Sequence, residues 1–332
     1  MDRAAAQQEN EYLRTMWEQH PAEHLDTYLS AGVEDPRINI QSILTRAFLV
    51  DALFPRRFTG LIHEELRFGT VLTWLWLQFK AGANRDELRE TLLTANAARL
   101  PAVVMGAARW LNLDSCPIPD YIEMALDPPT LDAPDQLLGN RALDVFCNIW
   151  QKELAELTTP SVRVLEPACG SANDYRAIHA CGLARFLDYV GLDISEKNIL
   201  NAKNRFQEVD FRAASILSTD LPDRSFDYVF AHDLLEHLSA DGIETALSEM
   251  VRLTRREVWL HLFNSNPDGA HEIIPAELYH WNLLAHAALR DSGRALGCAV
   301  DVIEIASLLQ HKFSFADHYN PRAATIVLKK QG

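Results

Sequence analysis

The run Val162-Arg-Val-Leu-Glu-Pro-Ala-Cys-Gly-Ser-Ala-Asn173 breaks a short apolar strand into a turn of small residues and leads directly into a helix. Such a turn lets a ligand approach both the backbone and a helix N-terminus. A second apolar run, Tyr189-Val-Gly-Leu-Asp193, ends in a carboxylate. In a doubly wound sheet that acid stands beside the first turn, where it can accept both hydrogen bonds of a ribose diol.

A dinucleotide loop places glycines at three positions of this turn to bare the backbone for a pyrophosphate. Here only Gly170 is glycine, Ala168 and Ala172 take the other two places, and Glu166 heads the turn. The combination suits a ligand with an amino-acid end and a nucleoside end, with Glu166 near an ammonium, the turn under a short linker and Asp193 on the ribose. S-adenosylmethionine has that form.

Residues from about 140 to 330 resemble the class I S-adenosylmethionine-dependent methyltransferases. The family's acid-x-Gly-x-Gly-x-Gly turn is met as Glu166-Pro-Ala168-Cys-Gly170-Ser-Ala172, and the acid ending its second strand as Asp193. Its Leu-Pro-x-x-Ser-Phe-Asp segment is met as Leu221-Pro-Asp-Arg-Ser-Phe-Asp227, running into Tyr228-Val-Phe-Ala-His-Asp-Leu-Leu-Glu-His237. The resemblance implies an α/β fold: a Rossmann-like, mostly parallel seven-stranded sheet closed by a C-terminal antiparallel hairpin. It implies S-adenosyl-L-methionine as cofactor and S-adenosyl-L-homocysteine as product, held by Glu166, Ala168, Gly170, Asn173, Asp193, Ile194, Ser215, Ile216 and His232. Ser215 stands where many relatives carry an acid for the adenine amine, which leaves adenine to its hydroxyl and to the Ile216 amide and side chain. The two alanines predict a slightly wider turn.

Charge narrows the partners. Forty-six acids against 31 bases leave a net charge of -15, which opposes attraction to nucleic-acid phosphates and favours a small-molecule substrate. The longest apolar stretch, Val71 to Phe79, is far short of the roughly 20 residues that span a bilayer. No secretory core is visible at the N-terminus, so no membrane partner and a cytoplasmic location are expected. Five cysteines show no paired metal spacing and are expected as reduced thiols.

Helical spacing of apolar residues predicts helices over Ala4–Ala31, Ile40–Leu53, Leu66–Phe79 and Arg85–Leu111. They suggest an all-α N-terminal domain over 1–126, serving as a substrate lid or a homodimer interface. The proline-rich stretch from Asp127 to Pro134 reads as part of a linker over 127–137, followed by a catalytic domain over 138–332 and an entry helix over Leu138–Leu157. Strands are expected at 162–166, 187–193, 209–214, 226–231 and 256–263, with helices at 173–183, 195–206 and 241–254 between them. A helix over Leu283–Leu296 then precedes two strands, Ala299–Ile305 and Ala323–Lys329, with no helix between them.

Ligands collect at the carboxyl ends of parallel strands, so residues just past each strand are the candidates for chemistry. After the fourth strand come His232 and Asp233, a base for a substrate proton and an acid to tune it. The bland alternatives are that His232 only stacks on the cofactor and that Asp233 caps the next turn. Glu236 and His237 are expected to pack or face solvent. After the fifth strand a long polar and aromatic loop offers His261, Asn264, Asn266, His271, Glu272, Tyr279, His280 and Asn282. Of these, His280 joins His232 and Asp233 as a catalytic candidate, and His261, His271, Tyr279 and Asn282 join Tyr175 as substrate-binding candidates; capping of the following helix explains His280 or Asn282 equally well. Asn173, Asp174 and Tyr175 either close over the methionine part or only start a helix. His232 and Glu236 share a helical face only in a short turn, so no metal site is expected.

The leading expectation is methyl transfer to oxygen or nitrogen of a small molecule, in a setting such as specialised metabolism. Cyclisation with bound S-adenosylmethionine or S-adenosylhomocysteine, and a non-catalytic binding scaffold, are the two rivals.

Overall fold

The computed structural model describes residues 36–80, 83, 86–87, 141–276, 279–315 and 320–331. The helices expected over Ala4–Ala31 and Arg85–Leu111, and the linker, lie almost wholly outside these residues.

Helices α1 (Ile40–Leu53), α2 (Thr59–Lys80) and α3 (Arg141–Leu154) precede the strand-helix alternation. Strand β1 (Val162–Pro167), helix α4 (Asn173–Ala180), β2 (Leu187–Asp193), α5 (Glu196–Arg205), β3 (Asp210–Ala213), β4 (Phe226–His232), α6 (Ala240–Leu253) and β5 (Thr254–Leu262) follow. The loop after β5 holds four two-residue strands: β6 (Ser265–Asn266), β7 (Pro275–Ala276), β8 (Tyr279–His280) and β9 (Leu284–Ala285). Helix α7 (His286–Ala295), β10 (Cys298–Glu304), α8 (Ile305–Phe313) and β11 (Ala324–Lys330) complete the chain.

The main sheet has seven strands in the order β10-β11-β5-β4-β1-β2-β3. Strands β1 to β5 run parallel, and β11 is antiparallel to both β5 and β10. The order reverses between β1 and β4, the position at which such sheets open a crevice for ligands at their carboxyl ends.

Both faces of this sheet are covered, which is why its strands read as nearly continuous apolar runs. Side chains alternate between the two faces, except in β4, where the register shifts between Phe226 and Tyr228. Val164, Tyr189, Tyr228, Phe230, Trp259 and Val327 pack on one face with residues of α1, α3, α4 and α5. Leu165, Val190, Val229, Val258, Ile326 and Leu328 pack on the other with α6 and α7. At Gly191 a side chain would put its Cβ 2.7 Å from Phe211 Cδ1 and 2.9 Å from Cys169 Sγ, so the second strand needs glycine there.

A helix, α8, stands between the last two large strands, where none was expected from the sequence. Its apolar residues Ile305, Leu309 and Phe313 are spaced by one helical turn each and all are buried, a signal hidden by the polar residues around it.

Helix α1 is buried on nearly every side. Asn39 caps it, its side chain accepting from the amides of Gln41 at 2.9 Å and Ser42 at 3.1 Å. Leu49, Val50 and Leu53 enter the core of the sheet domain, and Phe48 lies 5.2 Å from the Trp259 ring. Arg46 fastens the opposite side. It donates twice to Glu65 Oε1, at 3.0 and 2.6 Å, and to the carbonyls of Pro36 and Arg37, while Glu65 Oε2 accepts from Trp150 Nε1 at 2.7 Å. Buried charges are tolerated only when paired and fully hydrogen-bonded, and this pair ties α1, α2 and α3 together.

Removing one partner of such a pair leaves a bare charge in an apolar interior. Glu65→Gln should therefore cost about 3–5 kcal/mol of stability. Asp301→Asn breaks the exposed pair that Lys329 makes at 2.7 Å and should cost less than about 1 kcal/mol. Urea-denaturation midpoints measure both; equal shifts would show that the buried pair is not a fastener.

Candidate functional site

The turn from Pro167 to Asn173 turns through three left-handed residues. Ala168 has φ 59°, Gly170 φ 54° and Ala172 φ 65°, the alternate positions at which the sequence shows Ala, Gly, Ala. The alanines adopt the glycine conformation and carry its strain, roughly 1–2 kcal/mol per residue.

Asp193 holds the turn from beneath. Its Oδ2 accepts from the Gly170 amide at 2.9 Å, and its Oδ1 from the Ser195 amide at 2.8 Å and the Asn198 side chain at 3.3 Å. The Cys169 amide donates to the Leu192 carbonyl and the Ala214 amide to the Asp193 carbonyl, both at 2.9 Å, so β1, β2 and β3 meet here through backbone as well. Burial pushes the Asp193 carboxyl above its ordinary pKa, and these three bonds pull it back. Glu166 lies deeper. It is buried, its Oε2 accepts from the Tyr189 hydroxyl, and burial, then Asp174 and Asp193, raise its pKa well above the usual range.

Asn173 and Arg205 meet at the start of α4, where Asn173 Oδ1 accepts from the guanidinium at 3.3 Å. That helix start has no side-chain cap. Ser215 Oγ accepts from the Leu217 amide at 3.1 Å, closing a small turn around the buried Ile216, and the half-buried Ile194 packs against the same core cluster.

His232 ends β4, and its ring stacks on His261 of β5 with centroids 4.1 Å apart. Both are covered by α1. Thr45 Oγ1 lies 3.1 Å from His232 Nε2 and 2.8 Å from His261 Nε2, and Thr325 Oγ1 lies 2.9 Å from His261 Nδ1. Asp174 stands 3.6 Å from His232 Nε2 and accepts from Ser42 Oγ at 2.6 Å. Gln41 completes the lid, its amide donating to the carbonyls of Leu262 at 3.2 Å and Ala324 at 2.9 Å. Sequence reasoning singled out none of Gln41, Ser42 and Thr45. The signal available was three polar residues interrupting an apolar helix on one face.

Burial lowers the pKa of both histidines, that of His261 further because His232 adds like charge. Asp233 follows with φ 51°, its amide donating to the His261 carbonyl at 3.0 Å. Its carboxyl is raised to about 7 by burial and then by Asp174.

Several candidates lie away from an open surface. Tyr175 packs in the core, its ring 4.5 Å from Tyr189 and 4.9 Å from Phe206, rather than over the turn. His261 and Asn282 are both 0% exposed. Asn282 is a brace: its Oδ1 accepts from the Ile274 amide at 3.1 Å and its Nδ2 donates to the Leu238 carbonyl at 2.6 Å. His271 Nδ1 accepts from the Ala285 amide at 3.0 Å. Tyr279 and His280 form the antiparallel pairing of β7 with β8 and are half-buried, and the His280 carbonyl lies 3.1 Å from His237 Nδ1. His232 and Glu236 turn to different neighbours, and among the described residues no group of three or more His, Cys, Asp or Glu is arranged to hold a metal ion.

Residues 164–257 match the family model described as a methyltransferase domain, and they carry the turn, Asp193, β4 and the start of β5. This part of the chain is a class I methyltransferase domain. Among curated proteins, the chain is 27% identical over 176 residues to the ribosomal protein L11 methyltransferase of Methylobacillus flagellatus, covering 53% of this chain and 55% of that protein. It thus spans about half the length of the curated relative it matches. Among solved structures, the 1,6-didemethyltoxoflavin-N1-methyltransferase of Burkholderia thailandensis, bound to 1,6-didemethyltoxoflavin and S-adenosylhomocysteine, is 15% identical. The match covers 74% of this chain and 88% of that one, with a TM-score of 0.41. The [4+2]-cyclase SpnF is 18% identical, covering 57% of this chain and 82% of that one, with a TM-score of 0.39. The family's cofactor is S-adenosylmethionine.

Two predictions arise from this methyltransferase domain. Ala168→Gly keeps the left-handed turn without its strain and should raise stability by about 1 kcal/mol, read as a higher thermal midpoint. An unchanged or lower midpoint would place the strain elsewhere. The second concerns acid. His261 binds its proton at lower pH in the folded protein than its ordinary 6.5, so its contribution is complete above that value and is lost as pH falls toward the folded pKa. The loss approaches about 1.4 kcal/mol per pH unit for one such group. Urea midpoints at about pH 7.5 and 5.5 should fall less in His261→Gln than in the parent.

Proposed function

We propose that this protein binds S-adenosylmethionine across the β1–α4 turn and transfers its methyl group to a small molecule. The observation that carries the reading is the geometry of Asp193 beneath a left-handed turn that bares its backbone beside an uncapped helix start. The chemistry of this donor and acceptor set matches the ligand. The free amides at the start of α4 suit the methionine carboxylate. An ammonium beside Glu166 would offset the burial that raises that carboxyl.

Asp193 would serve the ribose with less spare capacity than its sequence position suggests. A carboxylate offers about four lone-pair sites, and three protein donors already occupy it, so one site on Oδ2 remains and a second requires the Asn198 amide to give way. Ser215, the Ile216 amide and the Ile194 side chain would border the adenine. When bound, S-adenosylmethionine supplies a methyl group on a positively charged sulfur, so the protein's task is to place a nucleophile in line and to receive its proton.

For that task His232 and Asp233 stand at the end of β4, directly past the turn. His232 is the poorer base as it stands, since burial lowers its pKa and Thr45 and Asp174 engage its Nε2. Asp233, raised to about 7, is better matched to accept a proton near neutral pH. His280, Tyr279 and His271 would border the acceptor from the loop after β5. The charge of -15 supports a small molecule over a nucleic acid.

Calorimetric titration with S-adenosylhomocysteine tests the cofactor half of the proposal. Micromolar affinity is expected, weakened at least tenfold in Asp193→Ala through loss of charge-assisted bonds worth about 1.5–3 kcal/mol each. Equal binding by parent and variant would remove Asp193 from the site, and no binding to folded protein would remove the proposal.

A further inference from the structure

Two carboxyls follow β4 within one short turn and lack a countercharge. Glu236 is 0% exposed; its Oε1 accepts from the amides of Phe263 at 2.7 Å and Asn264 at 3.4 Å, while Oε2, equally buried, has no partner. The Asp233 carboxyl is the charge that acts on it, and the two together are held high: Glu236 rises to about 8 through burial and then Asp233. Structural acids of this kind normally face an arginine or a lysine. Neither carboxyl makes an ion pair among the described residues, and Arg322 donates through Nη1 to Asn264 Oδ1 at 3.1 Å.

Aromatic rings stand beside the same turn. The His237 ring lies 5.6 Å from each of Phe263, Tyr279 and Trp281, and Phe263 and Trp281 are 4.9 Å apart. Burial lowers the pKa of His237, so it brings no positive charge near neutral pH. Trp281 keeps 38% of its surface open to solvent and Ile274, whose carbonyl accepts from the Trp281 amide, keeps 44%. The corner therefore combines two carboxyls without a countercharge, aromatic faces and an apolar opening at the carboxyl end of the sheet. This is the environment that draws a cation carried on an apolar body.

We propose that the methyl acceptor is an amine, its ammonium held by Asp233 and Glu236 and its apolar body laid against Phe263 and Trp281. The inference rests on the methyl-transfer reading above and decides between the oxygen and nitrogen acceptors left open by the sequence. An alcohol would bring no positive charge to the buried Glu236 and the half-buried Asp233, whereas an ammonium offsets the charge of one carboxylate and can donate hydrogen bonds to both. One carboxylate takes a proton from the ammonium. The freed nitrogen lone pair then forms the N–C bond to the methyl carbon as the S–C bond breaks, the sulfur keeps that electron pair as a neutral thioether, and the positive charge passes to the methylated nitrogen.

The test uses the full chain saturated with S-adenosylhomocysteine and titrated calorimetrically with 2-phenylethylamine and, separately, 2-phenylethanol. The amine should bind at least tenfold more tightly, and Glu236→Gln should cut that advantage at least fivefold. Asp233→Asn, at a half-buried position, gives the same reading where Glu236→Gln does not fold. Equal affinity for the two probes, failure of both to bind, or an advantage that survives both substitutions overturns the amine assignment. Failure of S-adenosylhomocysteine itself to bind strikes instead at the methyl-transfer reading.

Discussion

The carboxylate of Asp193 is the tie on which the ligand end of the sheet depends. It joins the β1–α4 turn to the start of α5 through three hydrogen bonds, at the point where the strand order reverses. A turn with three left-handed residues in alternate positions, two of them alanine, is not a conformation the chain adopts by itself. It persists because the amide of Gly170 finds its acceptor on Asp193 and the amide of Cys169 finds the Leu192 carbonyl, which over-determines the backbone.

Helix α1 places the second constraint. It shares a hydrophobic core with the sheet and also brings Gln41, Ser42 and Thr45 onto the ends of β4, β5, β11 and α4. The Arg46–Glu65 pair holds the far side of that helix to α2 and α3, so the cover over His232 and His261 is fixed by a buried ion pair rather than by a loose flap. Burial under this cover lowers the pKa of both histidines, while burial and then Asp174 raise the Asp233 carboxyl beyond them to about 7.

Acidic residues carry more than the net charge. Glu166, Asp193 and Glu236 are buried and Asp233 is half-buried, each with its pKa raised by burial first. Asp193 is satisfied by protein donors and Glu166 has its tyrosine, whereas Asp233 and Glu236 face no cation among the described residues. The same electrostatic cost that a fold would avoid becomes useful where a positively charged ligand completes it.

Much of the architecture was legible in the chain itself, because both faces of the sheet are buried and each strand is written as an apolar run closed by turn residues. Strand β2 and helix α1 fall on their expected boundaries, and the turn between β1 and α4 is anchored by the acid that ends β2, as their positions in the sequence suggest. Helix α8 escaped because only three of its nine residues, Ile305, Leu309 and Phe313, are buried, and the polar run Gln310-His311-Lys312 interrupts the pattern. The site was less legible, since a residue's type states what chemistry it can do and not whether it faces a ligand or the core. Tyr175 and Asn282 were plausible ligand contacts by type and position, yet one completes an aromatic cluster and the other braces a loop. By itself the sequence determined the alternating fold and the place of its ligand turn, because hydrophobic period and turn chemistry act locally. Tertiary structure alone decided that α1 would cover two stacked histidines and that Glu236 would be left with an unpartnered oxygen, because both depend on contacts between segments far apart in the chain.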